Sequence, residues 1–245
     1  MARSVVAIIS IVVFLTGPAF GAEPPHDTPT SQPSWTGLYV GGHLGYGWDR
    51  AIWTSISSPS PVVDYNQGSR ITSHPISGVF GGGHLGFNYQ FGSLVFGIEP
   101  AFSAGYFHDG SRSNTGSGDD EYTTRINNLF STAMRAGYSV DRWLIYLKVG
   151  YASGSVKTRL VDTVGVEQGD GRSSERHHGF VMGPGIELRV TPHIILGTEY
   201  NYLDLGSAKH SVGGLGSGLG PVINKVDLQG MHQITVRLSY LFNWH

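Results

Sequence analysis

Histidine and arginine residues near position 175 have the side chains that would bind an iron porphyrin. His177 and His178 lie close to Arg172 and Arg176. An imidazole can ligate haem iron, and a guanidinium can pair with a propionate in bidentate geometry. The segment is therefore a candidate site for haem or another ligand. The preferred alternative is an ordinary solvated loop that merely contacts an anionic surface.

A repeated string raises the question of a metal or nucleotide site. Gly-Gly-His-Leu-Gly occurs at 41–45 and again at 82–86, and it contains His43 and His84. Two imidazoles at one depth could bind a metal, but hydrogen-bonded interior histidines are commoner. The G-x-G-x-x-G string at 81–86 lacks the following helix that phosphate binding needs. We therefore predict no metal and no other cofactor.

The chain shows no pattern that indicates catalysis or nucleic-acid binding. It contains neither a G-x-S-x-G nor an H-E-x-x-H string, so no nucleophile is placed beside a base and no zinc protease pattern is present. The formal net charge of -2 gives no indication of a nucleic-acid partner, which usually requires a strongly basic protein. We predict that the protein is not an enzyme.

Strands must position these residues, because apolar side chains recur at every second position. Leu44, Tyr46 and Trp48 share one parity, whereas His43 and Gly45 have the other. A period of two indicates a strand. The pattern occurs in eight segments: 35–48, 77–91, 94–106, 129–138, 143–153, 179–190, 194–205 and 231–242.

The connections between these segments alternate in length. Short ones fall at 92–93, 139–142 and 191–193, and long ones at 49–75, 108–127, 154–178 and 206–230. Outer-membrane barrels have this layout, with the long loops outside the cell. We predict an all-β fold, an eight-stranded antiparallel transmembrane β-barrel with long extracellular loops, short periplasmic turns and both chain ends at the periplasmic side.

Charged residues within the predicted strands share the inward parity. They are Glu99, Arg135, Lys148, Glu187, Arg189, Glu199 and Arg237. Eight strands leave an interior about wide enough for side chains, and an unpaired charge there is costly. We therefore predict a paired charge network that fills the lumen. A small-solute channel is the alternative.

The first residues indicate export. Arg3 precedes an apolar run from Val5 to Leu15, and Ala19-Phe20-Gly21 offers the small residues of a cleavage site. Such a segment is typical of a secretory signal peptide. We predict a signal peptide at 1–21, a Pro-rich periplasmic lead-in at 22–34 and a barrel at 35–245.

Five segments together resemble the alphaproteobacterial outer-membrane surface-antigen barrel family, which is opacity-type and porin-like. They are Trp35–Gly42, Gly82–Gln90, Arg135–Tyr138, Glu199–Gly206 and Leu238–Phe242. The resemblance implies an abundant envelope protein and surface antigen of the cell outer membrane. Some members bind haem, and some are called porins.

The resemblance also implies partners. These are outer-membrane lipid and lipopolysaccharide, the barrel-assembly machinery through the C-terminal strand, and haem or host surface molecules as further candidates. The family usually ends at its aromatic residue, whereas Asn243-Trp244-His245 follows Phe242 here. The family often has Gln at the positions of His43 and His84, so no role is inherited for them.

Protein isolated from outer membranes should begin at Ala22, because cleavage after Gly21 is expected. Cleavage after Ala22 is the alternative. Intact-mass measurement of the purified protein distinguishes the two. A protein that reaches the outer membrane with residues 1–21 still attached would contradict the prediction.

Overall fold

The computed structural model describes residues 34–57, 68, 70–112, 121–162, 169–212 and 222–242. These residues form ten strands. They are β1 (Gly37–Ser57), β2 (Arg70–Phe91), β3 (Leu94–Arg112), β4 (Glu121–Val140), β5 (Trp143–Asp162), β6 (Gly169–Arg189), β7 (Ile194–Asp204), β8 (Ser207–Val212), β9 (Val222–Leu228) and β10 (Met231–Phe242). Within the described ranges, no helix is long and apolar enough to cross a membrane.

Eight of these strands close into an antiparallel ring. Strands β1 to β7 pair in sequence, β7 pairs with β10, and β10 pairs with β1. The closing ladder runs from Leu38 opposite Phe242 to Trp48 opposite His232. Closure satisfies the backbone hydrogen bonds that lipid cannot satisfy. The ring confirms the predicted eight-stranded barrel.

Short turns join the ring strands at one end. They contain Gly92-Ser93 and Asp141-Arg142, and a third spans 190–193. Gly92 has a φ of 60° and Asp141 a φ of 51°. Gly adopts this left-handed region at no steric cost, and Asp tolerates it. These turns confirm the predicted short connections.

The ring strands carry a lipid-facing band of exposed apolar side chains. Leu44, for example, is 69% exposed. Aromatic residues frame the band, with Trp48 and Tyr151 at one end and Trp143 and Tyr240 at the end with the short turns. Outer-membrane barrels have an apolar band of about 25 Å between two aromatic girdles.

The strands continue well beyond this band, so the predicted long loops are too long. We call these continuing segments the extension, which comprises 49–57, 70–78, 103–112, 121–129, 152–162, 169–179, β8 and β9. The pattern reverses there: Val156 and Leu160 are buried inside, whereas Lys157 and Arg159 face outward and are exposed. Sequence periodicity alone does not reveal that the apolar face has changed sides.

The predicted loop at 206–230 contains a hairpin. Strands β8 and β9 pair with each other, and β9 also pairs with the extension of β1, from Ala51 opposite Leu228. Gly206 and Gly230, both with positive φ, mark the bends at which β7 passes into β8 and β9 into β10. The hairpin therefore prolongs the barrel wall.

The orientation is testable because the chain contains no cysteine. Lys157→Cys lies in the extension, and Asp141→Cys lies in a short turn. A membrane-impermeant maleimide should label Lys157→Cys in intact cells and Asp141→Cys only after permeabilisation. The opposite labelling pattern would place the short turns outside the cell.

Candidate functional site: an ion-paired layer across the lumen

Every strand of the ring contributes a side chain to one buried layer inside the lipid-facing band. We call this layer the central network. Its members are Tyr39, Asn88, Glu99, Arg135, Tyr146, Lys148, Glu187, Glu199 and Arg237. Alternation along each strand directs these side chains inward, and ring closure brings them to the same depth.

The Arg237 guanidinium forms the centre of the network, because it contacts all three carboxylates. Its Nη1 donates to Glu99 Oε1 at 3.1 Å, and its Nε lies 3.4 Å from Glu187 Oε1. Nη1 also donates to Glu199. A guanidinium presents five donors in a planar fork, which allows one side chain to join three acids.

The Arg135 guanidinium forms a second centre. Its Nη1 and Nη2 donate to the two oxygens of Glu187 at 3.0 and 3.2 Å, and its Nε donates to Asn88 Oδ1 at 2.9 Å. The Tyr39 and Tyr146 rings lie 4.6 and 4.8 Å from its central carbon. Bidentate pairing and contacts with two aromatic faces hold this cation in one orientation.

The remaining bonds complete a charge-neutral set. Lys148 Nζ lies 2.6 Å from Glu199 Oε2, and the Tyr39 hydroxyl donates to Glu99 Oε2 at 2.7 Å. The Tyr146 hydroxyl donates to Glu199. Three carboxylates thus face three cations, and each charged group is at most 9% exposed. Pairing and additional hydrogen bonds offset the cost of burying charge.

Glycines provide the space for these large side chains. A Cβ at Gly197 would lie 2.8 Å from Glu187 Cγ and 3.0 Å from Arg237 Cγ. A Cβ at Gly86 would meet the Tyr39 ring, and one at Gly185 would meet the Tyr146 ring. The inward glycines are therefore partners of the network in packing, which explains part of the high glycine content.

Six of the seven predicted lumen residues meet in this layer, but the prediction for Arg189 is wrong. Its Nη2 donates to the Ser34 carbonyl at 2.6 Å, and its guanidinium lies 4.7 Å from the Trp35 ring. Arg189 has the inward parity, yet it lies two residues beyond Glu187 towards the short turns, about 7 Å along the strand. Together with Trp35 it closes the end of the barrel that has the short turns.

Sequence reasoning did not identify Tyr39 and Tyr146 as members of the network. Both have the inward parity, and each packs where a neighbouring strand carries a glycine, Gly86 or Gly185. An inward tyrosine opposite an inward glycine is the sequence signal that could have indicated them.

The two repeated histidines lie inward on β1 and β2, on the extension side of the network. Their Nδ1 atoms are 3.3 Å apart, and their Nε2 atoms hydrogen-bond to serine, His43 to Ser103 and His84 to Ser239, each at 2.8 Å. Together with Arg237 they line a cavity of about 40 Å³. This volume holds only a few water molecules.

The residues of the haem candidate do not form a loop, so that placement is wrong. His177 and His178 belong to β6 and point to opposite faces of the barrel wall. His177 is 2% exposed and faces inward, whereas the exposed His178 contacts Tyr151 on the outside. Haem binding itself stays a prediction, and it loses the adjacent imidazole pair on which it depended.

Arg172 and Arg176 instead belong to a cationic surface on the outside of the extension. This surface, the outer basic patch, consists of Arg125, Lys157, Arg159, Arg172 and Arg176 on β4, β5 and β6. Arg125 is directly opposite Lys157, and Arg159 is directly opposite Arg172. Most of these side chains line a shallow cavity of about 480 Å³.

Known proteins resemble this chain in sequence and in structure. The 25 kDa outer-membrane immunogenic protein of Brucella abortus biovar 1 is 27% identical over 98% of this chain and 98% of its own length. The 22 kDa outer membrane protein of Rhizobium leguminosarum bv. viciae is 27% identical over 73% of this chain and 68% of its length.

The structure of the outer membrane protein OprG from Pseudomonas aeruginosa has the same fold. It superimposes with a TM-score of 0.56 at 14% identity, covering 87% of this chain and 99% of OprG. The family model described as "Outer membrane protein beta-barrel domain" matches residues 12–242. This chain therefore belongs to the outer-membrane β-barrel family.

Proposed function

We propose that this protein is a closed barrel with an envelope-structural role, which presents its extension at the cell surface as an antigen. The observation that carries the proposal is the central network. It joins all eight strands of the ring across the lumen, and its charges cancel. A side-chain layer of this kind stabilises the barrel and leaves little space for a solute.

The interior of the extension supports a closed barrel as well. Its buried side chains form an apolar cluster that includes Trp53, Ile71, Ile126, Val156 and Leu160. Water-filled pores have polar linings, whereas this interior resembles the core of a soluble protein. The small-solute channel is therefore the less favoured of the two functions.

The proposed antigenic role rests on the exposure of the extension and on the descriptions of related proteins. The extension projects from the band on the side of the long connections, where outer-membrane barrels face the environment. The Brucella relatives carry the description "immunogenic". We extend that property to this chain as part of the proposal, and we assign it no catalytic reaction.

A structural role in the envelope also requires that the barrel be assembled in the outer membrane. Strand β10 alternates strictly and ends at Phe242, whose side chain is exposed towards lipid. We propose that the barrel-assembly machinery recognises this strand, as the resemblance to the surface-antigen family implies. The residues at 243–245 lie outside the described residues.

Planar-bilayer recording tests whether the barrel is closed. The wild-type protein should give no steady conductance. Glu99→Ala/Arg237→Ala removes one anion and one cation from the centre of the network, so it keeps the net charge and opens space. This variant should give measurable channel openings.

A matched control uses a second ion pair of the same charge. Lys225 and Asp227 lie 3.8 Å apart on β9 and are both substantially exposed. Lys225→Ala/Asp227→Ala should therefore leave the bilayer silent. Large, steady conductance of the wild-type protein would favour the channel instead.

The outer basic patch favours a second component of the structural role, the binding of lipopolysaccharide phosphates. The patch places five cations on three adjacent strands at the outside of the extension, and clustered Lys and Arg side chains attract phosphate groups. It lies beyond Tyr151 on the side of the long connections, which faces the outside of the cell in outer-membrane barrels.

This component is measured by titrating lipopolysaccharide into refolded protein in detergent. Lys157→Gln/Arg159→Gln should weaken binding about 10-fold or more, because charge-assisted bonds to phosphate are lost. Arg142→Gln, in a short periplasmic turn, is the control and should bind as the wild type does. Equal binding by all three proteins would exclude the patch as a lipopolysaccharide site.

A further inference from the structure

A seam in the extension separates β6 from β8. Strand β6 pairs with β7 as far as Phe180 opposite Asp204, and β5 continues to pair with β6 up to Gly169. Strand β8 pairs with β9. Among the described residues, no backbone ladder joins β6 to β8. Side chains must therefore hold this part of the wall together.

Two imidazoles bridge the seam. His177 of β6 and His210 of β8 are both buried, and their Nε2 atoms lie 3.1 Å apart. The ring centroids are 5.4 Å apart. If neither Nε2 atom carries a proton, two lone pairs face each other across this distance and repel. A cation between the two nitrogen atoms would remove that repulsion.

The partners of His210 indicate such a lone pair. Its Nδ1 lies 3.1 Å from Thr158 Oγ1, and the Thr158 hydroxyl faces the Ser173 carbonyl at 3.5 Å as its acceptor. If Thr158 donates to Ser173, His210 Nδ1–H donates to Thr158. The Nε2 of His210 is then unprotonated and directed at His177.

His177 has surroundings that favour the same tautomer. Its Nδ1 is buried and makes no hydrogen bond with the described residues, and the backbone of Leu205 and Gly206 lies beside the ring. A proton on Nδ1 suits a site beside backbone carbonyls and leaves the Nε2 lone pair free.

A third potential ligand lies directly opposite His210. Asn224 of β9 is its register partner, and both polar atoms of the Asn224 side chain are buried with no hydrogen-bond partner in the described part of the chain. Ser55, opposite Asn224 on β1, also has a buried hydroxyl without such a partner. Unsatisfied buried polar atoms are costly in a native protein, so a bound group would account for them.

We propose that His177 and His210 bind a divalent transition metal of the zinc class, with Asn224 as an oxygen ligand and water completing the shell. Two Zn–N bonds of about 2.05 Å separated by 3.1 Å enclose an angle near 100°. Imidazole and neutral oxygen ligands suit Zn²⁺, Cu²⁺ and Ni²⁺. The metal would link β6 to β8 where the backbone does not.

The second histidine pair provides an internal comparison. His43 and His84 also face each other, but both of their Nε2 atoms already bond to serine hydroxyls. The charged residues that line the same cavity, Glu99, Glu199, Lys148 and Arg237, are already paired with one another, so no carboxylate there is left to bind a metal. These histidines lie on β1 and β2, which pair continuously from Gly37 to Trp53.

Titration with Co²⁺, whose visible absorption reports ligand number and geometry, tests the site in refolded protein without a histidine tag. Wild-type protein should bind one equivalent with a four- or five-coordinate spectrum, and Zn²⁺ should displace it. His177→Gln/His210→Gln should lose at least about 100-fold in affinity, since two of three protein ligands are removed. His43→Gln/His84→Gln should bind as the wild type does.

Heat-modifiable migration on gels checks that each variant is folded. His210→Asn serves as a milder second variant and should also lose the four- or five-coordinate spectrum. Saturable binding that is equal in the wild type and both double variants would assign the metal to exposed histidines and overturn the proposal. Absence of binding to the wild type would also overturn it, leaving a hydrogen bond between neutral imidazoles.

Discussion

The Arg237 guanidinium can lie inside a narrow barrel only because three carboxylates surround it. Isolated, it would carry a desolvation cost of several kcal/mol, so its partners on β3, β6 and β7 must be in place at the same time. A one-residue slip of any of these strands would turn its carboxylate towards lipid. The network therefore couples the registers of strands that are not neighbours in the ring.

This constraint divides the barrel into two environments. Within the lipid-facing band, apolar side chains face outward, and the interior contains the paired charges and the glycines that accommodate them. In the extension, an apolar interior is covered by a charged exterior that includes Lys157 and Arg159. The same strands thus behave as a membrane protein along one part of their length and as a soluble β-barrel along the other.

The eight-stranded ring and the inward direction of Glu99, Arg135 and Arg237 could be predicted from the sequence, because a period of two is local information. The ends of the strands were not predicted, because the alternation reverses in the extension: apolar residues such as Val156 and Leu160 face inward there, and the charged residues between them face outward. The separation of Arg189 from the network depends on depth along the barrel, and the contact of His177 with His210 depends on a hairpin. The alternation of inward and outward side chains along a strand contains no information about either feature.

The unfolding free energy of Arg237→Met tests most directly whether the buried charges hold the barrel together. Methionine keeps much of the side-chain length and leaves Glu99 and Glu199 without their central cation. Equilibrium unfolding in lipid vesicles should show a loss of roughly 3–5 kcal/mol relative to the wild type, the cost of breaking a buried ion pair. A change below about 0.5 kcal/mol, the usual effect of a surface substitution, would contradict the account.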